Sequence, residues 1–295
     1  MFAIERYSKA HSLEEAVKLL AADPAAKLIA GGTDVLIRLH EGSKDFKSLV
    51  DINGLAALKE ITEAADGTVR IGCLATFSEI MDSDVVNRRV PVIAEAAATV
   101  GGPQLRNMAT MGGNICAGVP CADSAGALLV LEADLEIRGV DGQRVVPVAG
   151  FHLGPSRVAL KQEDVLVGFR IRPANYKGLG AAYYKYTMRD AMDIATIGCA
   201  VACKLKDGKV EGLRLAFAVA GPTPLRCWRT EEKSQGALAD ESLLKLVAGS
   251  VLDDLRPRDS WRASKDFREQ IITTLAERVL REAINRQSRN GVSIS

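Results

Sequence analysis

Two glycine-rich stretches constrain this chain more than anything else in it. One is Thr110, Met111, Gly112, Gly113 and Asn114; the other is Ala30, Gly31, Gly32, Thr33 and Asp34. Adjacent glycines lack a Cβ, so the backbone can approach a ligand closely and turn its N–H groups inward. Thr110 and Asn114 add short hydrogen-bonding side chains on either side. Asp123 precedes the apolar run Ala125, Leu128, Leu129, which is where a helix N-cap belongs. Amides that hold a pyrophosphate, with a carboxylate that takes a ribose hydroxyl, suit a bound dinucleotide. A single Gly-Gly pair reads equally well as an ordinary turn. The second stretch changes that, because it follows an apolar strand and precedes the helical spacing Val35, Leu36, Leu39. Strand, glycine turn and helix in that order aim free amides at an anion. It is not the Rossmann fingerprint, since no Gly-x-Gly-x-x-Gly occurs.

With 295 residues the chain can bury a large core and divides into two or three units. Its 38 basic and 37 acidic residues nearly cancel and do not run in blocks, which argues against a nucleic-acid surface or a polybasic membrane anchor. The first residues carry no basic flank followed by an apolar core, so no signal peptide is expected. No apolar run approaches the ~20 residues that span a bilayer, and the expected location is the cytoplasm. The six cysteines form no Cys-x-x-Cys pair, and Cys116 and Cys121 are spaced too loosely for zinc. Buried reduced thiols are the expectation. His11, His40 and His152 are scattered without ligand spacing, so no metal site is proposed.

The remaining pattern is that of alternating small elements. Ser12 and Glu15 form a capping box ahead of Leu13, Ala16, Val17 and Leu20 at helical spacing. Residues 27–30 and 48–52 read as short strands. Two strands flank Asp66-Gly67, a second capping box starts at Thr76, and Pro91 opens a helix that stops at Gly101 and Gly102. Asp141-Gly142 and Asp207-Gly208 are hairpin signals. Pro173, Gly178 and Gly180 mark a linker. Beyond it strands give way to helices, an α+β arrangement.

Ala30, Gly31, Gly32, Thr33 and Asp34, with Gln104, Leu105, Arg106, Asn107, Met108 and Ala109 leading into Thr110 and Ile115, and Pro120, Cys121, Ala122 and Asp123 beyond, resemble a known family. It is the FAD-binding subunits of the molybdenum hydroxylases, a group that includes xanthine dehydrogenase and carbon monoxide dehydrogenase. The resemblance runs over nearly the whole chain. Residues 184–198 and 257–264 carry a finer likeness to the bacterial xanthine dehydrogenase type. The resemblance implies an α+β fold in which two subdomains of the PCMH (vanillyl-alcohol oxidase-like) type, residues 1–56 and 57–176, clasp FAD. A smaller α+β C-terminal domain covers residues 177–295.

By the same resemblance, Lys27, Leu28, Ile29, Ala30, Gly31, Gly32, Thr33 and Asp34 make the first pyrophosphate loop. Val100 and Gly101 pass near the flavin or ribityl chain. Thr110, Met111, Gly112, Gly113 and Asn114 make the second phosphate loop, with Ala109 and Cys116 also at the cofactor. Asp123 is the ribose or ribityl partner, Leu166 packs near the adenine or the ring system, and Lys185 approaches the isoalloxazine. No inserted cysteine-rich loop is present, so FAD is expected as the only cofactor. The implied activity is electron transfer. A molybdenum-cofactor subunit oxidises a purine, a [2Fe-2S] subunit relays the electrons, and this chain passes them as hydride to NAD.

Other roles stay open at this point. The chain could serve a carbon monoxide or aldehyde/N-heterocycle dehydrogenase, or be a non-catalytic assembly subunit. A self-contained flavoenzyme needs a general base, and no histidine lies near the loops in sequence. Lys185 either stabilises charge on the reduced ring or is a solvated strand lysine. Asp34 and Asp123 either line the site or cap helices. Arg189, Asp190 and Asp193 either border a nicotinamide site or form a surface charge cluster. Tyr183, Tyr184 and Tyr186 read as core and edge packing. Trp261 is either a docking residue or a buried anchor.

Overall fold

The computed structural model describes residues 4–291. Residues 1–3, part of the stretch read above for a leader, and residues 292–295 lie outside the described residues. Three sheets succeed one another along the chain. In the first, β1 (Arg6–Lys9), β2 (Ala26–Ile29) and β3 (Ser48–Asp51) run parallel in the order β1-β3-β2. Parallel neighbours need crossovers, which α1 (Leu13–Ala22) and α2 (Val35–His40) provide. Helix α1 buries Ala16, Val17 and Leu20, and Ser12 caps it by accepting the Glu15 amide at 3.1 Å. The expected reciprocal bond is not made there. Glu15 instead takes the amide of His11 at 2.7 Å. The second box, Thr76 with Glu79, is complete.

The second sheet is antiparallel, in the order β4 (Ile61–Glu63), β5 (Val69–Gly72), β10 (Val165–Ile171), β6 (Asp134–Gly139) and β7 (Gly142–Pro147). A small ribbon of β8 (His152–Gly154) and β9 (Arg157–Val158) lies between β7 and β10. Six helices separate β5 from β6: α3 (Phe77–Asp82), α4 (Asp84–Arg89), α5 (Pro91–Ala98), α6 (Pro103–Arg106), α7 (Met111–Cys116) and α8 (Asp123–Val130). The third sheet is the antiparallel series β11 (Gly180–Tyr186), β12 (Ile197–Lys206), β13 (Lys209–Ala218) and β14 (Leu225–Arg226). Its helices are α9 (Trp228–Ser234), α10 (Glu241–Ser250) and the long α11 (Lys265–Gly291). Asp207 and Gly208 both have positive φ, as a two-residue hairpin between right-twisted strands requires.

Two cores result. One is shared by the first two sheets, joining Val17, Leu20 and Val50 to Ile71, Phe77, Leu128 and Phe169. The other lies between the third sheet and its helices, with Val201, Leu215, Leu244, Ile272 and Leu280. Helix α8 is buried at every position and packs on α5 as well as on β12 and β13. A helix apolar all round belongs between layers, and this one carries Asp123 at its first turn. All six cysteines are free, and Cys73, Cys199, Cys203 and Cys227 are buried. Trp261 is 78% exposed, with the Arg262 guanidinium 4.2 Å over its ring, so it is not a buried anchor.

The β6–β7 hairpin is clamped to the approach of β10 by Asp164. Its carboxylate has no exposed side-chain surface, and it accepts Arg144 through both guanidinium Nη atoms and the Lys161 amide at 2.6 Å. Burial pushes the Asp164 carboxyl up, but these donors outweigh it and hold it below the usual aspartate range. A carboxyl held low on folding stabilises the fold above its unfolded pKa of ~3.9 and loses that contribution as pH falls through its folded value. Asp164→Asn is therefore expected to lower stability at neutral pH by about 1–3 kcal/mol, measured by denaturant unfolding. The gap to wild type should close below about pH 4.

Candidate functional site

A cleft of about 1450 Å³ opens between the sheets and is lined from all three. Pockets for drug-sized ligands occupy ~300–1,000 Å³, so this one suits a longer molecule. From the first unit it takes Lys27, Leu28, Ala30, Gly31, Gly32, Thr33 and Asp34. From the second it takes Val100, Gly101, Ala109, Thr110, Gly112, Gly113, Asn114, Cys116, Asp123 and Leu166, and from the third Lys185. Two expected residues do not line it. Ile29 packs beneath Gly32, where a Cβ would sit 3.4 Å from its Cδ1. Met111 is fully buried, turned into the core.

The first glycine stretch has the features of an anion cradle. Among the described residues, the amides of Gly31, Gly32, Thr33 and Asp34 find no protein acceptor. Buried or half-buried N–H groups without partners are rare and point to something that takes them. Gly32 has φ +73°, which turns the chain from β2 into α2. A Cβ on Gly31 would lie 1.7 Å from the Met108 carbonyl oxygen, so the first glycine stretch presses directly against the segment that leads into the second. Asp34 occupies the N-cap position of α2 but makes no capping bond and is exposed to the cleft.

The second stretch differs from the expectation. It is the first turn of α7, capped by Thr110 Oγ1, which accepts the Gly113 amide at 3.1 Å. Three of its other amides are already used: Met111 donates to Ala75 at 3.0 Å, Gly112 to Cys73 at 2.8 Å and Asn114 to Thr110 at 3.0 Å, and among the described residues only the Thr110 amide is left without a protein acceptor. The backbone here cannot offer the row of free N–H groups that two glycines imply. Gly112 lacks a side chain because a Cβ would meet the Cys73 oxygen at 2.5 Å. Gly113 lines the cleft beside it, with only Thr110 Oγ1 near its missing Cβ. Asn114 Oδ1 accepts Ser124 at 2.7 Å, which leaves its amide donors for the cleft. The Arg106 guanidinium bonds the carbonyls of Val100 at 3.0 Å and Gly101 at 3.2 Å, fixing the turn at the cleft wall.

Asp123 does not take the capping position read for it. It is the first residue of α8, not its cap, and the cap position Ala122 has no side-chain bond. Both carboxylate oxygens face β11 instead. Oδ2 accepts Lys185 Nζ at 2.8 Å, and Oδ1 accepts the Tyr183 hydroxyl at 3.0 Å. Lys185 Nζ also donates to the Thr99 carbonyl at 2.9 Å. Both side chains of the ion pair are almost fully buried, at 5% and 8% exposed, so Lys185 is not a solvated strand lysine. Burial pushes the Asp123 carboxyl up, against the pull of the ammonium and the hydroxyl. Burial, with Asp123 beside it, also raises the Tyr183 hydroxyl well above its ordinary value. Burial lifts the Cys116 thiol to about 12, which keeps it a neutral apolar wall.

Three contributors went unread in the sequence. Tyr183 and Lys185 are two apart on one strand and so share a face, a period-two signal visible in hindsight. The Thr99 carbonyl and the stretch Leu153–Gln162 beside β8 and β9 carry no motif, although Ser156, Lys161 and Gln162 line the cleft. Asp193 lines it too, while Arg189 and Asp190 do not. Asp193 Oδ2 accepts the Met188 amide at 3.0 Å, folding its own segment back on itself. Among the described residues, no group of three or more His, Cys, Asp and Glu could hold a metal ion.

These residues fit an extended flavin dinucleotide. Unpaired amides and an ammonium suit the anionic parts, while Leu74, Phe77, Val100, Leu105 and Leu166 offer apolar walls for rings. Comparison with known proteins gives the same answer. Residues 2–173 match the family described as FAD binding domain in molybdopterin dehydrogenase, and residues 182–283 match the CO dehydrogenase flavoprotein C-terminal domain. The xanthine dehydrogenase FAD-binding subunit of Escherichia coli O157:H7 is 47% identical, with 96% of this chain and 97% of that protein aligned. The carbon monoxide dehydrogenase medium chain of Hydrogenophaga pseudoflava is 32% identical, with 95% of each covered. A solved structure of carbon monoxide dehydrogenase from that organism superposes with a TM-score of 0.92 at 31% identity, covering 97% of this chain and 99% of that one. Quinoline 2-oxidoreductase from Pseudomonas putida 86 superposes with a TM-score of 0.89 at 25% identity, covering 98% and 99%. With the cleft, its unpaired amides and its buried ammonium–carboxylate pair in place, the chain belongs to the FAD-binding subunits of the molybdopterin-dependent dehydrogenases.

Proposed function

We propose that this chain is the electron-transfer subunit of a xanthine dehydrogenase-like molybdenum hydroxylase, fed by iron–sulfur clusters on a partner chain and delivering hydride to NAD. The likeness to a xanthine dehydrogenase FAD-binding subunit over nearly the whole length favours the purine-oxidising type. The observation that carries the electron-transfer role is one cleft holding both unpaired amides and a buried lysine. Bound FAD exchanges electrons singly or in pairs, which suits a place between one-electron clusters and a two-electron acceptor. The chain's own residues supply position and charge. The amides of Gly31, Gly32, Thr33 and Asp34 would hold the pyrophosphate, and Lys185 would offset the negative charge gained on reduction. Asp123 keeps that ammonium in place and limits its net field. Leu74, Val100 and Leu166 keep water from the ring. The molybdenum-cofactor and [2Fe-2S] subunits are the partners we propose, with the cytoplasm as compartment. Among the described residues no helix is long and apolar enough to cross a membrane.

A second reading, the medium subunit of a carbon monoxide or N-heterocycle dehydrogenase, draws on the close superposition with those enzymes. Co-purification with partner chains, coupled to a purine oxidation assay, separates the two. The isolated chain is expected to turn yellow with FAD and to gain about 2.7 kcal/mol of stability at a hundredfold excess over Kd. NADH should bleach the bound flavin under anaerobic conditions, whereas purine alone should not. A colourless chain with an unchanged melting temperature would refute the flavin role, and bleaching only by other donors would refute NAD. Gly31→Ala is expected to weaken FAD by more than about a hundredfold, ~2.7 kcal/mol, because its Cβ meets the Met108 oxygen. Gly212→Ala, whose Cβ meets nothing within 4 Å, should bind as wild type in the same titration.

A further inference from the structure

We infer that Tyr183 is a positioning residue of this cleft, locking Asp123, and through it Lys185, in one orientation toward the cofactor. The inference rests on the FAD reading above and assigns a residue that contributes no lining surface of its own.

The geometry is specific. Tyr183 and Lys185 project from the same face of β11, onto the start of α8. The Tyr183 hydroxyl donates to Asp123 Oδ1 at 3.0 Å, leaving Oδ2 for Lys185 Nζ at 2.8 Å. Each carboxylate oxygen therefore has one dedicated donor, and the carboxylate cannot rotate without losing one of them. Lys185 spends a second donor on the Thr99 carbonyl, so its third N–H is the one left for the cleft. A buried ion pair is retained at low cost only when its remaining hydrogen bonds are made, and the hydroxyl makes the one Lys185 cannot.

Tyr183 is itself held at both ends. Its ring and hydroxyl lie over Gly198, where a Cβ would come within 3.1 Å of the hydroxyl oxygen. Gly198 is the cross-strand partner of Lys185, so a side chain there would disturb the whole triad. The Tyr183 amide donates to Glu95 Oε2 of α5 at 3.1 Å. Glu95 is bonded in turn by Arg286 of α11, which also donates to the Ala181 carbonyl at 2.8 Å. A chain of polar contacts thus runs from the C-terminal helix to the residue facing the cofactor.

The test uses the full chain and two readouts. Tyr183→Phe keeps the ring and removes the hydroxyl. It is expected to raise the Kd for FAD about tenfold, ~1.4 kcal/mol, and to shift the visible circular dichroism of the bound flavin. In the cofactor-free chain it should also make Lys185 react severalfold faster with an acylating reagent, read by mass spectrometry. In an Asp123→Asn background the same substitution should have no further effect on Kd, since Tyr183 acts through that carboxylate. Gly198→Ala, which displaces the hydroxyl without deleting it, should reproduce the acylation change. Unchanged Lys185 reactivity in both variants would overturn the inference, as would a loss of affinity that persists undiminished beside Asp123→Asn. A wild-type chain that binds no FAD would defeat the functional reading, while the acylation rates would still decide the role of Tyr183.

Discussion

Removing a carboxylate and an ammonium from water costs several kcal/mol per ion, and their attraction returns this only when the geometry is fixed and the spare valences are filled. Asp123 and Lys185 meet that condition because three parts of the chain converge on them. Helix α8, buried along its length, delivers the carboxylate. Strand β11 delivers both the lysine and the tyrosine from one face. The end of α5 delivers the Thr99 carbonyl. None of these elements could shift by a turn or a register without stranding a buried charge. The polar pair and the packing of α8 on β12 and β13 therefore fix the same placement of the third sheet on the second.

The glycines show how one residue type answers to different forces. Gly31 is bare because another backbone lies where its Cβ would be. Gly112 is bare for the same reason, with Cys73 as the neighbour, although it lines the cleft as well. Gly113, beside it, meets only its own cap, Thr110 Oγ1, at 3.0 Å. The two stretches look alike in sequence and do different things. One presents unpaired amides, and the other spends most of its amides on the carbonyls of Cys73 and Ala75, just after β5, and on its own helix cap.

Local signals were legible where the cause was local. Asp141-Gly142 and Asp207-Gly208 became hairpins because a tight turn needs those residues wherever it occurs. Strand β1 was missed: Arg6, Tyr7, Ser8 and Lys9 form a largely exposed edge strand, so no alternation betrays it. Asp123 was read both as a ribose or ribityl partner and as a possible cap, because the first turn of a helix attracts acidic residues for reasons that sequence does not separate. The residues that line the cleft from 30–34 and 109–116 were marked by their glycines and by a family resemblance. The contributions of Thr99 and Tyr183 depend on which strand lies beside which helix, information held in the packing rather than in any stretch of chain.

The shared core of the first two sheets bears on how such a chain can be rearranged. Ala16, Val17, Leu20 and Val50 pack into the same cluster as Ile71 and Phe169, so the small parallel sheet has no interior of its own. The third sheet does have one, closed by α10 and α11. Gene fusions or exchanges between relatives would find no seam after β3, and one made after β10 would leave a core on each side but part Lys185 from Asp123. The opening fifty residues are inseparable from the antiparallel sheet they lean on, and the last third, although it has a core of its own, brings a lysine that needs α8 and its carboxylate on the other side.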